Sequence, residues 1–231
     1  MGHWRKPWKE EASSMIQLLG KVPNNICVAV SGGPDSMAAL DFLNNGKRSI
    51  TALYFNHCTE HGYEAKQFIR RYCMQRGIGM LDDRLREKKP DDMSLEEFWR
   101  AERYKYFSRH ASRPIVTAHH LNDVVEWWLM SSMHGESKII PYENEEYNII
   151  RPFLLTPKSE LVDWCERKKV PYLTDPSNES RDHMRNVVRH DIMPHALKVN
   201  PGVEKVMKKK VQEVFDMRKK LYKTRSREVS L

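Results

Sequence analysis

Runs of apolar residues, cut by turn formers, divide the chain into alternating strand-like and helix-like stretches. Ile26-Cys27-Val28-Ala29-Val30 has no polar interruption and stops at Gly32-Gly33, the pattern of a buried strand that ends in a tight turn. Met37 to Leu40, with Phe42 and Leu43, then take helical spacing up to the turn Asn44-Asn45-Gly46. Ile50 to Phe55 predicts a second strand. Glu64 to Arg76 predicts a helix with Phe68, Ile69 and Tyr72 on one side and Gly77 as its stop, and Ile78 to Leu81 a third strand. Ser94-Leu95-Glu96-Glu97 is a capping box opening a helix that runs to His110. Ile115 to Ala118 reads as another strand, Asn122 to Met133 as the helix after it, and Lys158 to Lys169 as a further helix. Between them, Gly135 to Asn148 is polar and irregular. Ahead of all these, Met15, Ile16, Leu18 and Leu19 are spaced as a short helix closed by Gly20 and Pro23. Strands alternating with helices predict an α/β fold built on a doubly wound parallel sheet.

The turn after the first strand carries the strongest chemical signal. Ser31-Gly32-Gly33-Pro34-Asp35-Ser36 feeds a strand into a helix, so free N–H groups of the loop and first helical turn aim at one point that the helix dipole also favours for an anion. Glycine lets the backbone approach a phosphate that a Cβ would hold away, Ser31 and Ser36 bring hydroxyls, and Asp35 brings the hard oxygen that a Mg²⁺ on phosphates takes. No Gly-Lys-Ser/Thr follows, and no Gly-x-Gly-x-x-Gly is present, so the loop is neither a Walker loop nor a dinucleotide fingerprint.

Two helix faces add charge. Asp123 and Glu126 lie at i and i+3 with His119 just ahead of them, a placement that suits an ammonium group or a Mg²⁺, or that complements the helix dipole. Arg100 and Arg103 share a face in the same way and suit phosphate oxygens or pairing with Glu96, Glu97 or Glu102. His120 is assigned to packing.

The Ser31–Ser36 loop in this context resembles the PP-loop of the ATP pyrophosphatase superfamily. Thr117-Ala118-His119-His120-Leu121-Asn122-Asp123-Val124-Val125-Glu126 is similar to the His-x-x-Asp-x-x-Glu helix start of tRNA(Ile)-lysidine synthetases. Ser94 to Tyr104, Arg151-Pro152-Phe153-Leu154, Asp175-Pro176-Ser177-Asn178, and Arg185-Asn186-Val187-Val188-Arg189 with Pro194 follow in that family's order. The chain departs from the family pattern at Cys58-Thr59-Glu60, Trp127 and His134 to Ser137.

The resemblance implies the adenine nucleotide alpha hydrolase-like version of the fold, with residues 1–194 as the PP-loop domain and 195–231 as a small basic helical extension, a short form of the family. It implies ATP and Mg²⁺ as cofactors, with Ser31, Gly32, Gly33, Pro34, Asp35, Ser36 and His119 around the nucleotide and Asp35 on the metal. Substrate would meet Asp123, Glu126, Arg185 and Asn186, and catalysis would fall to Asp35, Arg100, Asp123, Glu126 and Arg189. The implied reaction adenylates the C2 oxygen of the wobble cytidine, position 34, in the CAU anticodon of tRNA(Ile), and the amine of free L-lysine then displaces AMP to give lysidine.

Composition narrows the setting. No stretch approaches the roughly 18 consecutive apolar residues of a membrane span, and Met1 to Glu11 is too polar for a signal peptide, so a cytoplasmic protein is expected; a homodimer is left open. Cys27, Cys58, Cys73 and Cys165 show no Cys-x-x-Cys spacing, which argues against a base thiolase of the same superfamily. A non-catalytic tRNA-binding protein would not need the intact loop and acidic pair, and a ligase of small carboxylates would leave the basic segment idle. Net charge is +8, and His195 to Leu231 holds 11 Lys+Arg against 4 Asp+Glu, so nearly all the excess sits at the C-terminal end, a distribution suited to a polyanionic partner. After Pro201-Gly202, Val203, Val206, Val211, Val214, Phe215 and Leu221 predict an amphipathic helix with Lys205, Lys208, Lys209, Lys219 and Lys220 on its other side.

Overall fold

A computed structural model describes residues 15–174 and 184–228, with backbone alone from 223. The expected motif Asp175–Asn178 and the stretch Met1–Glu11 lie outside the described residues.

Strand β1 (Asn25–Ala29) buries Ile26, Cys27 and Val28 completely and leads through the glycine loop into α1 (Pro34–Asn45). Then come β2 (Ser49–Asn56), α2 (Gly62–Arg76), β3 (Gly79–Arg84), α3 (Leu95–Ser108), β4 (Ile115–Val116), α4 (Leu121–Met133), β5 (Glu143–Asn144), β6 (Ile149–Ile150) and α5 (Lys158–Lys168). The sheet runs in the order β3-β2-β1-β4-β6-β5. Every pairing is parallel except β5 on β6, with Val28 opposite Ala52 on one side and Val116 on the other. The predicted doubly wound parallel sheet is therefore present. The stretch read as irregular does contain one short strand, β5, which pairs as an antiparallel edge.

Local chemistry explains the boundaries. Ser94 Oγ accepts the Glu97 N–H at 3.2 Å and caps α3. Gly77, at φ +65°, ends α2 in the left-handed conformation that glycine adopts without cost. Helix α1 is apolar along most of its length because α2 and α5 cover it, and its one deep charge is fully engaged. Asp41 accepts from Tyr72 Oη (2.7 Å), Trp164 Nε1 (3.0 Å) and Asn45 Nδ2 (2.8 Å), tying α1 to both neighbours.

The helix expected over Met15 to Leu19 is absent. Gln17 N–H donates to Thr156 Oγ1 (3.1 Å) and Leu19 N–H to the Pro152 carbonyl (2.7 Å), so the segment spends its backbone donors sideways on the loop before α5. Apolar pairs two residues apart satisfy that arrangement as well as a helical one.

After α5 the described chain resumes with α6 (Met184–Val187), a π-helical turn (Val188–Ile192), α7 (Met193–Val199) and α8 (Val203–Glu228). Helix α7 runs across the expected boundary at 194, and α8 packs back on α4. The apolar stripe of α8 is Val203, Met207 and Val211, all buried, with Phe215 edge-on to Tyr142 at 5.0 Å. Val206 and Leu221, expected on that stripe, are 44% and 66% exposed, because the four-residue step from Val203 lands on Met207. Among the described residues no helix is long and apolar enough to cross a membrane.

Candidate active site at the β1–β4 switch point

Strand β1 lies between β2 and β4, so connections leaving the carboxyl ends of β1 and β4 diverge and open a crevice, the place where doubly wound sheets bind ligands. The β1–α1 loop forms one wall and the β4–α4 loop the other.

In the first wall Gly32 has φ +89°, which only glycine takes without strain, and its carbonyl accepts the Leu173 N–H at 2.9 Å. The serine hydroxyls stiffen the loop: Ser36 Oγ accepts the Ser31 N–H (3.1 Å) and donates to the Gly33 carbonyl (3.0 Å), and Ser31 Oγ lies 3.2 Å from Ser36 Oγ. A Cβ on Gly33 would meet only Ser31 Oγ, at 3.6 Å, so the face of the loop in front of it is open. Gly33 caps α1 without a side chain and Pro34 brings no N–H, leaving the first-turn amides beyond it for an anion. Asp35 Oδ1 is buried without a hydrogen-bond partner. An orphaned carboxylate oxygen beside an open anion cradle fits a cation carried in on phosphates. Among the described residues no group of three or more His, Cys, Asp or Glu is arranged to hold a metal by itself, so a Mg²⁺ here would take Asp35 together with phosphate oxygens.

In the second wall His119 Nδ1 is 2.8 Å from Thr117 Oγ1. Burial, reinforced by Arg151, Arg185 and Arg103 against the pull of Asp123, pushes the imidazole of His119 down to about 3, so it stays neutral. His120, taken from the sequence as packing, is 2% exposed and stands between the two walls: Nε2 is 3.5 Å from Asp35 Oδ2 and Nδ1 is 3.5 Å from Asp123 Oδ2. Burial lowers its pKa, but Asp123 and Asp35 outweigh that and hold it above the ordinary histidine value. The readable signal was its place three residues ahead of Asp123, the span of a capping box, which the structure contains.

Asp123 and Glu126 do share a face, and the structure brings Arg185 and Arg189 to it. Arg185 Nε is 3.0 Å from Glu126 Oε2 and its Nη2 bonds Asp123 Oδ1, while Arg189 Nε is 2.7 Å from Glu126 Oε1. Burial works against the Asp123 charge, but His120, Arg185 and His119 hold the carboxyl well below the usual carboxylate range. Its partner Arg185 moves up, with Asp123 and Glu126 overcoming desolvation. Asn186 is buried beside them. The π-helical turn starts three residues after Arg185, carries Arg189 and ends two residues before Pro194; such turns recur at functional sites.

Arg100 stands apart. It is exposed on α3 with its guanidinium over the Tyr104 ring, 4.9 Å from the centroid, and has no ion pair to Glu96, Glu97 or Glu102, the last of which pairs with Lys105 at 2.5 Å. Arg103, on the same face, is lowered by burial and feels Arg100 and Arg185 as like charges.

The chain is similar in sequence to several known proteins. The tRNA(Ile)-lysidine synthase of Thermotoga maritima is 33% identical over 196 residues, which cover 78% of this chain and 47% of that protein. The tRNA(Ile)-lysidine synthase of Aster yellows witches'-broom phytoplasma is 28% identical over 177 residues, 73% of this chain and 40% of that protein. The bifunctional protein TilS/HprT of Listeria innocua is 32% identical over 211 residues, 84% of this chain and 33% of that protein. The chain thus spans half or less of the length of these relatives. Residues 7–196, which include both walls of the crevice, match the PP-loop domain, and the chain belongs to that family.

Proposed function

We propose that this protein uses ATP to adenylate the C2 oxygen of the wobble cytidine in the CAU anticodon of tRNA(Ile), and that free L-lysine then displaces AMP to form lysidine. One observation carries the reading: the anion cradle with its orphaned Asp35 oxygen faces, across a single histidine, a buried pair of carboxylates. That juxtaposition is what a reaction requires that activates an oxygen with ATP and then replaces it by an amine.

The glycine loop and the α1 N-terminus take the phosphates, and Arg100 meets them only by swinging off the Tyr104 ring on α3. A Mg²⁺ bound there would neutralise charge on the departing pyrophosphate. The cytidine oxygen attacks the α-phosphorus as the bond to pyrophosphate breaks, and the lysine amine attacks C2 as the bond to AMP breaks. Asp123 and Glu126 receive the lysine ammonium. The depressed pKa of Asp123 suits gripping a cation and makes it a poor proton acceptor, so the proton that the amine sheds before it attacks goes to Glu126. Arg189 and Arg185, already at these carboxylates, offset negative charge in the transition state. A cytidine in an anticodon loop reaches the crevice by leaving its stack. Residues 1–194 carry this chemistry and the basic segment 195–231 serves RNA binding.

The similarity of the relatives named above supports the choice of RNA and amine. A thiolation reaction is disfavoured, because Cys27, Cys73 and Cys165 are buried and only Cys58 is exposed. The test is AMP and pyrophosphate release with ATP, lysine and tRNA(Ile) each omitted in turn. Pyrophosphate should appear only with ATP and tRNA, AMP and lysidine only when lysine is present as well, and Asp35→Ala should lower turnover at least about 100-fold with an unchanged melting curve. Full turnover by Asp35→Ala, or AMP formed equally without tRNA, would exclude the reading.

A further inference from the structure

His120 occupies the N-cap of α4. Its Nδ1 accepts the Asp123 N–H at 3.4 Å and its own N–H donates to Asp123 Oδ2 at 2.8 Å, the two halves of a capping box. Capping alone does not call for an imidazole. Asn, Asp, Ser and Thr are the preferred caps, and each closes this box with less side chain to bury. What the ring adds is a second nitrogen on its far side, and that nitrogen meets Asp35 Oδ2 in the first turn of α1 at 3.5 Å. Nε2 carries its hydrogen in the charged ring and in the neutral tautomer whose Nδ1 accepts, so the contact to Asp35 is a donor-to-acceptor one in both.

The two carboxylates belong to different halves of the site, Asp35 to the phosphates and Asp123 to the amine. They come from the first turns of two different helices, α1 and α4, and no ion pair or hydrogen bond joins them directly among the described residues. His120 is buried between them, and Asp123 in turn bonds Arg185. A shift of the Asp35 carboxylate when phosphates and metal arrive therefore passes through one rigid ring to Asp123.

Resting on the lysine-ligating reading above, we infer that His120 is a positioning residue that couples the nucleotide half of the site to the amine half. Occupation of the phosphate cradle sets the Asp123 carboxylate, and with it the affinity for lysine. Such coupling is reciprocal, so lysine tightens nucleotide binding by the same factor.

Two substitutions separate the ring's functions. His120→Asn places an amide where Nδ1 stands and keeps the cap, but does not reach Asp35; His120→Gln reaches the Nε2 position and loses the cap. Lysine binding is measured by calorimetry on the full chain, with and without the non-hydrolysable nucleotide α,β-methylene-ATP and Mg²⁺, beside a melting curve for each variant. Wild type should bind lysine about tenfold more tightly with the nucleotide present, a usual size for coupled sites. His120→Asn should melt like wild type and show less than about a twofold effect. His120→Gln should melt lower yet keep most of the coupling. Full coupling in His120→Asn, or its loss in His120→Gln alone, overturns the role of His120 and leaves the functional reading standing. A wild type that binds no lysine under either condition overturns both.

Discussion

Arg189 meets Glu126 fork to fork, with Nε 2.7 Å from Oε1 and Nη2 3.0 Å from Oε2. Bidentate pairing of this kind is the strongest geometry available to an arginine and a carboxylate. Arg185 adds a third bond at 3.0 Å, and the Glu126 side chain is 2% exposed. The acidic pair is thus neutralised from within by α6 and the turn that follows it. On the reading proposed above, a lysine ammonium entering this site would share or replace a guanidinium that already satisfies it.

Glu126→Gln should therefore destabilise the protein as well as weaken lysine use. The amide keeps the shape but removes the carboxylate that Arg189 grips and one of the two that Arg185 meets. Removing one partner of a fully buried pair costs about 3–5 kcal/mol. Arg185 keeps 35% of its side chain exposed and Arg189 23%, so a loss of about 2 kcal/mol is expected from urea unfolding. Adding Arg189→Gln to Glu126→Gln should cost less than the two single changes combined, with an interaction of about 1 kcal/mol. Strict additivity would show that the fork seen here contributes nothing to the folded state.

How far the sequence foretold this site depends on how local each signal is. The strand, loop and helix from Ile26 to Leu43 are contiguous, so periodicity and glycine placement show both the fold class and the cradle. Asp123 and Glu126 share a face by spacing alone. Their arginine partners sit 62 residues beyond Asp123 and 63 beyond Glu126, a distance at which no pattern links one residue to another. The bridging place of His120 was hidden for a related reason, since its cap contact is local but Asp35 arrives from another helix, α1. At Met15 to Leu19 the apolar spacing fits a helix equally well, and tertiary hydrogen bonds to Pro152 and Thr156 decide against one.

Acid should weaken the fold through His57, at the end of β2. The ring lies 5.2 Å from Trp99 and 5.1 Å from Phe55, centroid to centroid, and Nδ1 is buried without a partner. Burial, and then the positive charge of Arg103, push its pKa down to about 4. The unfolded chain takes up a proton near pH 6.5 while the folded one refuses it until about pH 4. Stability is then full above pH 6.5, falls as the pH drops through that window, and has lost about 3 kcal/mol at its lower end. Urea midpoints at pH 7, 5.5 and 4.5 should show a shallower decline for His57→Phe than for wild type. Parallel curves would mean that the ring protonates as freely folded as unfolded.

The final expectation concerns α8. Truncation after Gly202 would uncover the surface that Val203, Met207 and Val211 seal, so lost RNA binding by a truncated chain would not separate charge from stability. Charge neutralisation does separate them. Lys205, Lys209, Lys219 and Lys220 are exposed along α8, and the pair Lys209 to Glu213, at 3.8 Å, is a surface pair of small worth. Changing all four to Gln should leave the melting curve within about 0.5 kcal/mol of wild type, as surface changes do. If these lysines contact phosphates of the tRNA, the variant should bind tRNA(Ile) more weakly, and the slope of log affinity against log salt should drop by about 3. Base choice should survive, since phosphate contacts position an RNA without reading it. Anisotropy titrations of labelled tRNA over a potassium chloride series give both numbers. An unchanged slope with a folded variant would show that α8 is there to cover α4, and that the positive charge serves something other than RNA.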